Sequence, residues 1–227
     1  MKNIFRISGV ILLIILIHSC KKDDVTNIPK TISDNDGNIF STVTIGTQVW
    51  MTENLKTTKY NDGTSIPLVT EGAKWAALLT PGYCWYNNDA ANKNNYGALY
   101  NWYTVNTGKL CPTGWHVPSD AEWTILTTYL GGESVAGGKL KETGTSHWLS
   151  PNTGATNESI FSALPGGYRF VFGSFYFIGE YGHWWSSTGY STDRAWYQLM
   201  YYNYSKVTRV NLDKRYGFSV RCLKNNT

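Results

Sequence analysis

The chain has 227 residues and a formal net charge of +4, and 16% of its residues are charged while 15% are aromatic. A charge this close to balance argues against a nucleic-acid partner, which needs basic side chains clustered on one face. Abundant aromatic rings and 22 glycines with little charge fit a loop-rich extracellular fold that packs around large side chains, without long amphipathic helices.

A secretory leader is predicted at the beginning of the chain. Lys2 and Arg6 supply a basic start, and residues 10–17 form an unbroken apolar run. That run is about half of the ~20 residues that a membrane-spanning helix needs. Residues 17–20, Ile-His-Ser-Cys, resemble a bacterial lipobox in which Cys20 is lipidated. A plain signal peptide with an incidental cysteine is the alternative.

The residues that follow Cys20 bear on where the protein is sent. Residues 21–24, Lys-Lys-Asp-Asp, resemble the export signal that sends lipoproteins of Bacteroidetes-type bacteria to the outer face of the outer membrane, and an ordinary charged tether is the alternative. We therefore predict an outer-membrane lipoprotein exposed at the cell surface and held to the membrane by acyl chains on Cys20. Residues 1–19 are then the leader, residues 20–33 the lipidated start and a flexible tether, and residues 34–227 one domain.

The first half of this domain is predicted to form short strands and helices. Residues 34–38 begin like a calcium loop, but position twelve of that count is Ile45, where an EF-hand needs a glutamate. We therefore predict a turn that leads into a hairpin over residues 39–51, with a glycine at its tip. Short helices are predicted over residues 73–79 and 98–105, each with apolar side chains on one side.

The clearest helix begins after Ser119. Ser119 and Glu122 have the spacing of a capping box, in which each side chain accepts a bond from the other residue's backbone amide. Trp123, Leu126 and Leu130 then recur at helical spacing, and two glycines end the run. The acidic residue therefore has a structural role in this reading.

The rest of the domain is predicted to form strands and loops. Residues 195–202 are apolar on both faces, which is typical of a central strand, and residues 207–212 are predicted to pair with them. Residues 218–222 are predicted to form a closing strand. Alternation along this strand predicts that Ser219 and Arg221 face outward, and their neighbours inward.

One disulfide is predicted among the cysteines that follow Cys20. An oxidising compartment permits a disulfide, and three cysteines allow one internal pair. Cys222 points inward from the closing strand, and Cys111 precedes a helix that is expected to pack on the same core. We therefore predict a Cys111–Cys222 bond that leaves Cys84 free. The sequence contains no CxxC motif, so neither a zinc knuckle nor a redox pair is supported.

Eight blocks of sequence have a distinctive residue content, the densest being Cys-Pro-Thr-Gly-Trp-His-Val-Pro-Ser at the start of the fifth. They are residues 36–38, 51–55, 59–63, 97–102, 111–123, 161–169, 184–188 and 217–222. Together they resemble the Fibrobacter succinogenes major paralogous domain, over about residues 34–224. That family is of unknown biochemical activity, and its layout is similar to the C-type-lectin-like superfold shared with formylglycine-generating enzymes. The resemblance implies an α+β fold with a mixed, mostly antiparallel twisted sheet, a few short helices and long ordered loops.

A non-catalytic surface module that binds a glycan or a protein is the first functional hypothesis. Exposed Trp and Tyr rings stack on sugars and anchor interfaces. The candidate residues are Trp184, Trp185, Tyr201, Tyr202 and Tyr204. Core packing is the alternative for Trp184 and Trp185. Calcium-dependent sugar binding is disfavoured because the Glu-Pro-Asn or Gln-Pro-Asp triplet of those lectins is absent. The oxygen-rich residues 87–95 are open to two interpretations, a hard-cation loop or a solvated loop, and no metal site or cofactor is predicted.

Two further hypotheses remain open. One is a structural or adhesion component that binds a partner surface protein. The other is an enzyme related to formylglycine generators, which use two neighbouring cysteines as working thiols. Here the only cysteine pair is structural, and nothing near Cys84 supplies a base for a lone nucleophile. His116 is predicted to be a buried, hydrogen-bonding core residue, and no catalytic residue is predicted.

Overall fold

The computed structural model describes residues 31–226, so the predicted leader, Cys20 and most of the predicted tether lie outside the described part. Within residues 31–226 the chain forms an α+β fold with two five-stranded sheets and a two-stranded ribbon, joined by short helices and long loops. No helix in this part is both long and apolar enough to cross a membrane.

The strands and helices are short, and their bounds are as follows. The strands are β1 (Thr31–Ser33), β2 (Ile39–Ile45), β3 (Gln48–Met51), β4 (Tyr83–Cys84), β5 (Leu99–Tyr100), β6 (Trp115–His116), β7 (Gly166–Arg169), β8 (Phe175–Ile178), β9 (Tyr181–Gly189), β10 (Arg194–Tyr201), β11 (Val207–Asp213) and β12 (Leu223–Lys224). The α-helices are α1 (Gly72–Ala76), α2 (Lys93–Tyr96), α3 (Trp102–Val105), α4 (Asp120–Tyr129) and α5 (Glu133–Leu140). Two 3-10 turns span Tyr86–Asn88 and Ala90–Asn92.

The first sheet has the strand order β1-β2-β3-β12-β6 and is antiparallel throughout. Its β2–β3 hairpin turns at Gly46, whose φ of +62° suits glycine, so the predicted hairpin is confirmed. The predicted turn before it is also confirmed, because Asp34 Oδ1 accepts bonds from the backbone amides of Asp36 and Asn38 at 3.0 and 2.9 Å. Strand β1 precedes residue 34 and pairs with β2 at the edge of this sheet.

The second sheet has the order β11-β10-β9-β7-β8, with a single parallel pair between β7 and β9. Strand β10 lies between β9 and β11 and is buried on both faces over most of its length. The predictions of a central strand over residues 195–202 and of its pairing with residues 207–212 are confirmed. This sheet carries the surface described below.

Residues 217–222 connect the two sheets. Phe218 exchanges backbone bonds with Tyr100, and Ser219 accepts from the amide of Trp185 at 3.1 Å. The prediction that Ser219 and Arg221 face outward is wrong, since both are buried. The segment lies between the sheets, so other elements cover both of its faces.

The predicted disulfide is confirmed. Cys111 and Cys222 are bonded and lie in the core, and Cys84 is free and buried. Burial raises the pKa of the Cys84 thiol to about 12, so this thiol stays protonated and unreactive at neutral pH.

The helices agree with the sequence where a local cap defines them. The capping box of Ser119 and Glu122 is present at the start of α4, as predicted. The predicted helix over residues 98–105 is only partly right: its first residues form β5, and α3 begins after Asn101, whose side chain accepts from the amide of Thr104. The helix predicted over residues 73–79 is present as the shorter α1.

Helix α5 was not predicted, because its sequence contains two glycines and little helical periodicity. The glycines permit close packing. A Cβ at Gly137 would lie 2.5 Å from the carbonyl oxygen of Lys206, and one at Gly138 would lie 2.3 Å from that of Gly154. Helix α5 therefore packs directly against the backbone that follows β10.

Buried cations bind the carbonyl groups of several long loops. None of these cationic side chains is within ion-pair distance of an acidic side chain in the described part of the chain. The buried cations are Lys141, Arg169, Lys214 and Arg221. Each donates hydrogen bonds to two or more backbone carbonyls. A buried carbonyl needs such a donor when no strand or helix supplies one.

Arg169 illustrates this arrangement. Its guanidinium group donates to the carbonyls of Val69, Thr70 and Gly173, and it stacks on the ring of Trp75 with 4.4 Å between the guanidinium carbon and the ring centroid. One side chain therefore fixes the loop before α1 and the β7–β8 turn. The planar guanidinium suits this task because it presents five donors in a fixed geometry.

Candidate functional site

Two of the five predicted binding residues lie in the core. Trp184 and Trp185 are fully buried, and their indole groups donate to Asn54 Oδ1 and to the carbonyl of Tyr100 at 2.9 and 2.8 Å. They belong to hydrophobic clusters on opposite faces of β9. The prediction that they contact a ligand is therefore wrong, and the alternative of core packing is correct, because the sheet is covered on both sides at this point.

The three predicted tyrosines separate into two groups. Tyr201 and Tyr204 lie side by side, with 5.7 Å between ring centroids, and Tyr204 is 52% exposed. Tyr202 packs against the cluster that contains Trp184, on the other face of the sheet. The structure thus brings Tyr201 and Tyr204 together and places Tyr202 apart from them.

Tyr201 and Tyr204 form one end of a larger group of rings on the same side of the second sheet, which we call the aromatic surface. Its members are all at least partly exposed, and each has a neighbouring member within 6.1 Å between ring centroids. They are Tyr168, Phe170, Phe172, Tyr176, Phe177, Tyr181, Tyr201, Tyr204 and Tyr216. Such spacings are those of favourable aromatic pairs.

The rings form an unbroken row across the sheet. From the β7–β8 turn the row runs from Phe172 to Phe170 (5.3 Å), then to Tyr176 on β8 (6.1 Å) and on to Phe177 (6.0 Å). Phe177 lies 4.6 Å from Tyr181 on β9, between ring centroids.

The row continues across β9 and β10. The rings of Tyr181 and Tyr201 meet edge to face at 4.9 Å, and Tyr204 follows. Neighbouring strands in a sheet lie about 4.8 Å apart, so a row over β8, β7, β9 and β10 is about 14 Å wide. The rings of Phe177, Tyr181 and Tyr201 therefore follow one another in one direction, across the strands.

Two members of the row are placed unusually. Phe172 is 68% exposed at the tip of the β7–β8 turn. Phe177 has a φ of +62°, a left-handed conformation that is strained for a bulky residue. Strain of this kind persists when the surroundings hold it, and here it accompanies a ring that fills the gap between Tyr176 and Tyr181.

A buried histidine lies beneath these rings. The imidazole of His183 stacks on Phe218 (4.9 Å between centroids, 19° between planes) and on Tyr197 (5.7 Å, 26°), and the ring of Tyr168 meets it edge-on at 4.9 Å. Burial lowers the pKa of His183 to about 3, so the group is neutral at physiological pH. The aromatic surface thus rests on a closely packed, uncharged layer.

Four tyrosines of the surface, Tyr168, Tyr181, Tyr201 and Tyr216, remain protonated at neutral pH. Burial raises the pKa of Tyr168 to about 12, and burial also raises the pKa values of Tyr181, Tyr201 and Tyr216. Their hydroxyl groups can therefore both donate and accept hydrogen bonds. The surface combines apolar ring faces with hydroxyl groups.

The prediction that His116 is buried in the core is wrong. Its ring is partly exposed and contacts Asn225 Oδ1 at 2.7 Å and Glu122 Oε1 at 2.9 Å. Burial opposes ionisation of Glu122, but bonds from Ser119 and His116 outweigh this effect and lower the pKa of the carboxyl group. The carboxylate is used in capping α4, which agrees with the structural role predicted for it.

The oxygen-rich residues 87–95 form helical turns, and the side chains of Asp89 and Asn92 bond to nearby backbone groups. Asp89 Oδ1 caps the turn by accepting from the amide of Ala91, and the Asn92 side chain donates to the carbonyl of Tyr86. Among residues 31–226, no three side chains of the His, Cys, Asp and Glu types are grouped so that they could hold a metal ion.

The fold and the surface define a class of protein: an α+β domain whose long loops are internally bonded and whose larger sheet presents a row of aromatic rings. The sequence also matches a family model. The Fibrobacter succinogenes major domain matches residues 43–224, and the chain belongs to that family. Comparison with curated proteins and with solved structures gives no match.

Proposed function

We propose that this domain is a non-catalytic binding module that holds a neutral glycan chain on its aromatic surface. The observation that carries the proposal is the unbroken row of rings from Phe172 to Tyr204. An elongated row suits a linear polymer, because successive sugar rings can lie over successive aromatic rings.

The chemistry of the row favours a sugar. Sugar rings present apolar C–H faces beside hydroxyl groups, and tyrosine presents an apolar face beside a hydroxyl group in the same way. Tyrosines predominate in the row, and the charged group recorded over one of its rings is the ammonium of Lys206, 5.4 Å from the ring centroid of Tyr204. The preformed network of ring contacts also limits the entropy lost on binding, since the rings already hold one another in place.

The cellular setting is part of the same proposal. A lipid anchor on Cys20 and the charged tether behind it would hold the module at the outer face of the outer membrane. A C-type-lectin-like arrangement of the fold, implied by the sequence blocks, is consistent with such a role, although fold alone does not determine function.

A partner surface protein is the second candidate ligand, and one observation favours it. Phe172 is a strongly exposed apolar ring, and the neighbouring β8 is an edge strand of its sheet. An edge strand offers unpaired backbone groups to a strand of another protein. This alternative uses only the β8 end of the aromatic surface.

The test measures binding of the soluble chain, residues 21–227, to neutral and acidic polysaccharides and mucins, with and without EDTA. We expect saturable binding to a neutral glycan that EDTA does not change. Phe177→Ala and Tyr204→Ala are each expected to weaken it about tenfold, which corresponds to about 1.4 kcal/mol.

Tyr190→Ala is the matched control, because Tyr190 is an exposed tyrosine whose ring contacts Trp196, outside the aromatic surface. Equal loss in the control would contradict the proposal, as would glycan binding that neither surface substitution changes. Capture of a single protein through Phe172, with no glycan bound, would favour the second candidate.

A further inference from the structure

Lys141 lies directly after α5 and is fully buried. Its ammonium group donates to the carbonyls of Tyr201 and Tyr204, both at 2.9 Å, and to that of Thr153 at 3.1 Å. The ring of Trp148 lies 5.3 Å from the ammonium nitrogen, measured to its centroid. Lys141 therefore bridges the two ends of the turn that carries Tyr201 and Tyr204.

The number of donors matches the number of acceptors. An ammonium group has three N–H donors and no acceptor, and three carbonyls are within hydrogen-bond distance of it. No carboxylate in the described residues is paired with it. Further backbone bonds hold the turn in place, from Thr153 to the carbonyl of Tyr202 (2.7 Å) and from Gly138 to that of Ser205 (2.9 Å).

We propose that Lys141 is the positioning residue of the aromatic surface: its ammonium group fixes the turn in the conformation that places the rings of Tyr201 and Tyr204 in the row. This inference rests on the proposed glycan-binding function. Lys141 itself touches no ligand in this scheme, because it lies beneath the turn.

If an ammonium group holds this turn, the positions of the Tyr201 and Tyr204 rings should depend on pH. Loss of one proton leaves an amine with two donors, so one of the three carbonyls loses its partner. Burial lowers the pKa of Lys141 to about 8, which brings this change into an accessible range.

Other titratable and charged groups lie on the elements around Lys141, and several are engaged elsewhere. Lys139 pairs with Glu158, His147 pairs with Glu142, and Lys206 lies over the ring of Tyr204. Further titratable and charged groups on these elements are Glu133, Glu180, Tyr201, Tyr202 and Tyr204, with Arg194 and Tyr197 on β10 and Arg209 and Asp213 on β11, which packs against α5. None of the acidic groups forms an ion pair with Lys141.

The first measurement needs no ligand. In the soluble chain with ¹³C-labelled tyrosine and ¹⁵N-labelled lysine, we expect the ring signals of Tyr201 and Tyr204 to shift between about pH 6.5 and 9.5, with the same midpoint as the Lys141 Nζ signal. Ring signals that stay fixed while Nζ titrates would overturn the proposal. An Nζ signal that does not titrate in this range would overturn the pH dependence.

Variants provide the second measurement. Lys141→Met is expected to displace both ring signals at every pH and to weaken glycan binding at least tenfold. Lys141→Arg, which keeps its charge, is expected to retain binding at alkaline pH, where the wild-type protein loses it. Lys139→Met, two residues earlier on α5, is the matched control. Unchanged ring signals in a folded Lys141→Met protein would overturn the proposal, and if that variant does not fold, the wild-type titration decides.

These measurements separate the two proposals. Ring signals that follow Lys141 in a protein that binds no glycan would support the positioning role and reject the proposed function. Glycan binding that persists unchanged in Lys141→Met would support the proposed function and reject the positioning role.

Discussion

Replacing Arg221 by methionine tests whether buried cations hold this fold together. The guanidinium group is fully buried between the two sheets and donates to the carbonyls of Met51, Phe161 and Ser162 and to Asn54 Oδ1. Methionine fills a similar volume but has no donor. The substitution therefore removes these bonds while leaving the packing largely intact.

The loss can be estimated from the carbonyls left without a partner. Those of Phe161 and Ser162 lie outside strands and helices, and Arg221 is the only donor to them within the described part. A buried acceptor left unsatisfied costs about 1–3 kcal/mol, which gives about 2–6 kcal/mol for the two. The substitution also removes the cost of burying a charge, which already lowers the pKa of Arg221 to about 9. We therefore expect a net loss of about 3 kcal/mol in the free energy of unfolding.

Urea denaturation of the soluble chain measures this loss as a shift of the midpoint at constant slope. Arg194→Met is the control, because Arg194 is exposed and makes one long contact, 3.3 Å to Asn211, so its loss is expected to stay within about 0.5 kcal/mol. A loss below about 1 kcal/mol for Arg221→Met would refute the reasoning, since the bonds would then do no more than offset the cost of burial.

Three further outcomes are expected. Replacing both Cys111 and Cys222 by serine should lower the free energy of unfolding by about 4–5 kcal/mol, because the bond closes a loop of over a hundred residues; an unchanged urea midpoint would contradict this. Ser119→Ala should cost about 1 kcal/mol by loss of the α4 cap, measured by thermal unfolding, whereas no change would show that Glu122 alone caps the helix. His183 binds its proton at about pH 3 in the fold and at about pH 6.5 when unfolded, so the unfolded state binds more protons in that window and stability rises with pH there, by about 1.4 kcal/mol per pH unit. His183→Phe should remove that contribution, so the difference in stability between the two proteins should change with pH, and a constant difference would contradict it.

Local signals in the sequence predicted local structure well. The capping box at Ser119, the hairpin over residues 39–51 and the central strand over residues 195–202 depend on neighbouring residues and on alternation, and the structure confirms each. The disulfide could be predicted because few cysteines left few choices.

The failures share a cause in contacts between distant parts of the chain. Alternation along the strand predicts that Arg221 faces outward. The residue is buried, because residues 217–222 lie between two sheets. Helix α5 is stabilised by its packing against the backbone after β10. Its two glycines permit this packing, but they do not predict a helix.

The aromatic surface was only partly predictable for the same reason. Tyr201 and Tyr204 were candidates because a turn exposes side chains. Their partners on β7, β8 and β9 are brought beside them by the parallel pairing of β7 with β9, which no local pattern specifies. The one signal available was the concentration of aromatic residues over residues 168–181, which alternate before the turn and follow one another directly after it.

The buried cations also have a consequence for how the loops respond to their surroundings. Each positive charge is covalently part of the chain, so its association with the loop carbonyls is unimolecular. Mass action makes a structure held by a dissociable ion depend on the concentration of that ion outside. The loops closed by Lys141, Arg169, Lys214 and Arg221 need no dissolved metal ion, and the proton is the only external ion proposed to act on them, at Lys141. Their order is set when the chain folds, and dilution of the medium does not alter it.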